Sequence, residues 1–239
     1  TSIFKLKIMI IILLLILSVL IGVFLGKYFG SKQQFAKNLL ILSAGFLITI
    51  CLNEVFPEVY ELGGHQIGIF VILGVLIQML LENLTKGFEH GHLHHHSDDH
   101  TILPVALIAG LFVHAFIEGI PLSHEKETLS PYLLGILFHN IPISFVLGSF
   151  LAHSKNFSTK FWVIVSVFAL ASPLGMLLGR YFDEDLKVYF LAVVGGIFLH
   201  ISSVIIFESN KNHKMDWQKI VLVIVGIALA LTGHLFHHH

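Results

Sequence analysis

The sequence predicts an all-α polytopic membrane protein with eight transmembrane helices, and three observations carry that prediction. First, 55% of the 239 residues are hydrophobic and 12% are charged, with a mean hydropathy of +0.85, whereas soluble domains average about 25% charged residues. Second, the apolar residues gather into runs of about 20, the length a helix needs to cross a hydrocarbon core about 30 Å thick. Third, the charges, 14 Lys and Arg against 15 Asp and Glu, stand between those runs. No basic surface forms, so nucleic-acid binding is excluded. The single Cys51 excludes an intramolecular disulfide and a thiolate metal site.

The first span, 8–26, lies between Lys7 and Lys27 without a charge. It is too long and too uninterrupted for a signal-peptide core, and no A-x-A cleavage pattern follows it. The further spans are expected over 36–59, 66–84, 102–122, 131–152, 161–179, 188–207 and 220–235. Together they make one transmembrane domain over 1–239. The connections are short except for 85–100, a polar loop holding His90, His92, His94, His95, His96 and His100 beside Asp98 and Asp99. The side carrying that loop holds nine Lys, against five Lys and Arg on the other. The loop is therefore expected in the cytoplasm and both termini outside, in the plasma (cell inner) membrane.

Histidine is overstocked, at 17 residues. His237, His238 and His239 are set aside, because a terminal histidine run serves purification as readily as chemistry. The loop histidines suit weak collection of borderline cations without fixed geometry, a reading favoured over a merely soluble linker because histidine is a costly way to make one.

An ionisable side chain inside a span costs on the order of 2.5–3.5 kcal/mol, so each is a candidate functional residue. In the fourth span, "VHAFIEGIPLS" sets His114 and Glu118 four apart, on one helix face a single turn apart. That spacing serves chelation of a divalent cation or a buried His–Glu hydrogen bond that joins helices. The fifth span, "FHNIPISFVLGSF", repeats His, polar neighbour and proline in His139, Asn140 and Pro142, with Ser144 beyond. His114, Glu118 and His139 offer two nitrogens and a carboxylate, a set suited to zinc or another late divalent metal, with Asn140 or water completing it. Iron, manganese, cobalt and cadmium fit the same donors.

Elsewhere, Asn53, Glu54 and Glu58 surround Pro57 near the outer end of the second span, as an entrance or as a solvated helix end. Gln78 and Glu82 stand four apart in the third span, with Glu82 expected to face water. His200, eight residues before Glu208 in the seventh, reads as an interhelical hydrogen-bonder or, with Glu208, as part of an exit path.

These motifs resemble the Zrt/Irt-like (ZIP) family of divalent-metal transporters over nearly the whole chain. "HAFIEGIPLS" is similar to the family's fourth-helix pattern of His, a residue often Asn, two positions, then Asp or Glu and Gly. "HNIPISFVLGSF" is similar to its "HExPHE" or "QNIPEG" patterns, and "EVFPE" to its "HLLPE", with Glu54 where His is usual. Ala115 replaces the frequent Asn, and Ile143 with Ser144 replaces the acidic or His-Glu pair after the fifth-span proline.

The resemblance implies a 3+2+3 helix arrangement, ligand roles for His114, Glu118, His139 and Asn140, and a dimer. It also implies uptake of a divalent cation, zinc first, toward the cytosol. Helices 1, 4, 5 and 6 would slide against 2, 3, 7 and 8. The missing carboxylates imply a single transport site. Two other classes fit His/His/Glu less well. An intramembrane zinc hydrolase lacks HExxH and a spare base, and a membrane metal sensor leaves the span motifs unused.

Overall fold

The structure is a computed structural model, and the residues described are 2–30, 33–85, 105–152, 159–208 and 217–237. The expected loop histidines, His90 to His100, lie outside them. Among the described residues every element is helical. In order they are α1 (Ser2–Phe29), α2 (Gln33–Ile50), α3 (Phe56–Gly63), α4 (Gly68–Thr85), α5 (Val105–Gly119), α6 (Pro131–Ala152), α7 (Thr159–Gly179), α8 (Lys187–Glu208) and α9 (Trp217–His237). Among the described residues seven stretches are long and apolar enough to cross a membrane, and Trp217–Gly233 is a shorter apolar helix.

The second span departs from the single regular helix expected over 36–59. Pro57 has no N–H for the carbonyl four residues back. The chain absorbs this in a π-helical turn, Cys51–Val55, closed by the Phe56 N–H on the Cys51 carbonyl, before α3 continues to Gly63. Pro121 acts similarly on the fourth span. There α5 stops at Gly119 and a 3-10 turn, Ile120–His124, completes the crossing. Pro142 and Pro173 sit inside α6 and α7, which stay helical around them.

Helix contacts divide the molecule into two sets. In one, α1 packs on α6 and α7, and α5 on α7; in the other, α2 packs on α9 and α8, and α4 on α8. The sets meet chiefly where α2 touches α6 and α4 touches α5. Counting α2 with α3 as one span, the closest pairs are spans 1 and 5, 2 and 7, 2 and 8, 3 and 7, and 4 and 6. That list maps onto itself when spans 1–3 exchange with 6–8 and 4 with 5, the signature of a 3+2+3 internal repeat.

Lipid is as apolar as leucine, so helix association in a membrane rests on close packing more than on apolar burial. The α5–α7 contact shows how close. A Cβ on Gly119 would stand 2.0 Å from the Ser172 carbonyl oxygen, and one on Gly175 2.0 Å from that of Phe116. Large apolar side chains such as Met9, Leu13, Ile69, Leu80 and Ile224 point outward, where acyl chains would cover them.

Candidate metal site

The last turn of α5 carries His114 and Glu118, and the middle of α6 carries His139. All three are buried, with relative exposures of 1%, 0% and 1%. The four-residue spacing brings His114 Nε2 to 2.8 Å from Glu118 Oε1. His139 approaches from the neighbouring helix, its ring 5.6 Å from that of His114 and inclined at 70°. One donor atom from each residue lies within 4.8 Å of the others. Zinc bonds of about 2.0–2.1 Å would draw tetrahedral donors to about 3.4 Å apart, a change within reach of small side-chain rotations.

The electrostatics favour a cation at this point. Glu118 Oε2 has no hydrogen-bond partner among the described residues, and no Lys or Arg there forms an ion pair with Glu118. A carboxylate so enclosed is costly unless a positive charge or a proton meets it. Two imidazoles and one carboxylate are borderline donors suited to zinc and its late first-row neighbours.

Two neighbours hold the site. The 3-10 turn forced by Pro121 changes the hydrogen-bonding pattern after Glu118, and the buried Tyr132 hydroxyl of α6 donates to the Glu118 carbonyl oxygen at 2.7 Å. From α4, in the other helix set, Gln78 Oε1 lies 3.1 Å from His114 Nδ1, both side chains fully buried. Sequence reading had only paired Gln78 with Glu82. The available signal was a lone amide in the apolar run before Leu81.

The remaining candidates fall elsewhere. Asn140, next to His139, is buried at 2%. Ser144 is also buried, and it packs against Gly22 of α1. Glu54 and Glu58 line a cleft together with Glu125, Ser130 and Tyr132, whereas Asn53 is exposed outside it. Glu58 and Glu125 are tied across that cleft by Lys187, at 2.9 and 3.1 Å.

Glu82 does not simply face water, because its carboxylate meets His200 Nε2 at 2.8 Å, two half-buried side chains closing an interhelical pair between α4 and α8. Glu208 is the last residue of α8.

The helices and the buried His/Glu/His cluster define an integral membrane protein with a candidate divalent-cation site. The sequence model of the ZIP zinc transporter family matches residues 89–233, and the chain belongs to that family. Protein zntD of Dictyostelium discoideum is 27% identical over 143 residues, covering 55% of this chain and 21% of that protein. Probable zinc transporter 12 of Arabidopsis thaliana is 27% identical over 157 residues, covering 58% and 44%. The chain thus spans less than half the length of either. An uncharacterized protein of Methanocaldococcus jannaschii is 26% identical over 210 residues, covering 84% of this chain and 87% of that protein.

Proposed function

We propose that this protein moves divalent cations, zinc foremost, through the membrane by way of His114, Glu118 and His139, toward the side bearing the His-rich loop. The observation that carries the reading is the enclosure of three convergent N/O donors between helices of spanning length. The zinc-transporter names of its relatives point to the same cargo. A site that must release its ion benefits from few ligands. Hydrolysis is disfavoured because the cluster's one carboxylate would be taken by the metal, leaving no spare base within it.

Buried on all sides, the cluster exchanges ions only if helices move. The natural boundary is the one between the two packed sets, so α1, α5, α6 and α7 would slide as a unit against the rest. Moving the ion together with its ligands keeps a partly neutralised charge in lipid throughout. The lysine distribution supports a topology with both termini outside, and uptake toward the cytosol is what the resemblance to the family implies.

The test is zinc flux into proteoliposomes holding the purified protein, beside Glu118→Ala and His139→Ala variants. Saturable entry that either substitution abolishes is the expected result. Wild-type protein that binds zinc and moves none would overturn the transport reading.

A further inference from the structure

His114 has two ring nitrogens and two close polar neighbours, and the arrangement of the three decides what the ring can do. Nε2 stands 2.8 Å from Glu118 Oε1, and Nδ1 stands 3.1 Å from Gln78 Oε1. A neutral imidazole carries one N–H and one lone pair. If the N–H sits on Nε2, His114 donates to Glu118 in a hydrogen bond within α5, and no lone pair is left there for a cation. If it sits on Nδ1, Nε2 presents its lone pair toward Glu118 and His139, and the ring is a ligand. An amide oxygen only accepts, so Gln78 in the orientation seen draws the proton to Nδ1.

We propose that Gln78 is a positioning residue for the cation site: from α4 it fixes the His114 tautomer whose Nε2 lone pair can bind a divalent cation. The inference rests on the metal-site reading of His114, Glu118 and His139. Outer partners of this kind orient ligating imidazoles and typically change metal affinity 10–100-fold. Gln78 is fully buried, so water does not substitute for it readily. It also reaches across the boundary between the helix sets, so the alignment belongs to the register seen here. A slide of more than about one residue rise, ~1.5 Å, would part the contact and weaken the ligand.

The test uses the full chain in detergent micelles. In metal-free protein with 15N-labelled histidine, His114 is expected to carry its proton on Nδ1, and to lose that preference in Gln78→Leu. A wild-type His114 protonated on Nε2 would overturn the proposal.

Zinc affinity, read by competition with a chelating dye, is expected to fall 10–100-fold in Gln78→Leu and to stay within about threefold of wild type in Gln78→Glu, which keeps an acceptor oxygen. Equal affinities in all three proteins, or equal losses in both variants, would overturn it, the second by showing that side-chain packing alone matters. Gln78→Met serves in place of Gln78→Leu if that variant does not fold. Flux is measured separately. Absent wild-type flux with these results intact removes the transport reading and leaves the role of Gln78 standing.

Discussion

His139 of α6 faces His114 of α5 edge-on, their rings 5.6 Å apart at 70°, and the carboxylate of Glu118 lies within reach of both. An antiparallel helix pair has thereby gathered three donors separated by up to 25 positions in the chain. Neither helix alone offers more than two of them.

Glu118→Gln keeps the shape of the side chain and removes its charge. Because an enclosed carboxylate is costly without a cation, metal-free Glu118→Gln is expected to melt at the wild-type temperature or above it. Zinc, which stabilises the wild type by binding the folded state, is expected to add nothing to the variant. Thermal unfolding with and without zinc checks both halves.

Ile143 stands four residues after His139, as Glu118 does after His114, and is buried at 1%. Ile143→Glu should add a carboxylate on the His139 face. Metal-free protein is expected to lose stability, because two enclosed carboxylates repel. Zinc should restore it, with affinity about tenfold tighter, equal to ~1.4 kcal/mol. Unchanged affinity in the dye assay would show that position 143 points away from the ion.

Gly175 lets α7 lie directly on the last turn of α5, where an added Cβ would meet the Phe116 carbonyl oxygen at 2.0 Å. Gly175→Ala must push the helices apart, at a cost of about 1–3 kcal/mol. It is expected to lower both the melting temperature and zinc affinity, since Phe116 lies two residues from each of the α5 donors. A variant that melts and binds like wild type would show that the contact is not required.

Lys187 bridges Glu58 and Glu125 beside the cleft, with side-chain exposures of 14%, 40% and 10%. Lys187→Met leaves two carboxylates facing each other across the cleft. A loss on the order of 1 kcal/mol is expected for so partly exposed a group, or about 2–4 °C in melting temperature at this chain length. Lys187→Arg should retain most of it. Adding Glu125→Gln to Lys187→Met should recover part of the loss, a non-additivity that a double-mutant cycle measures.

Sequence by itself determined the membrane class, the spans and the His114–Glu118 pair, because each is written in local spacing. Twenty apolar residues are a spanning length wherever they occur, and a four-residue interval puts two side chains on one face of any helix. Proline told less. Pro57 and Pro121 changed the helix type around them, while Pro142 and Pro173 did not, and residue order does not distinguish the cases.

Only the tertiary structure decided that His139 meets that pair, that Ser144 turns toward α1, that Gln78 reaches His114, and that Lys187 and His200 find Glu125 and Glu82. Those contacts depend on which helices lie side by side and at what height. That is set by non-local fits such as Gly119 on Ser172 and Gly175 on Phe116, to which the 3.6-residue period is indifferent.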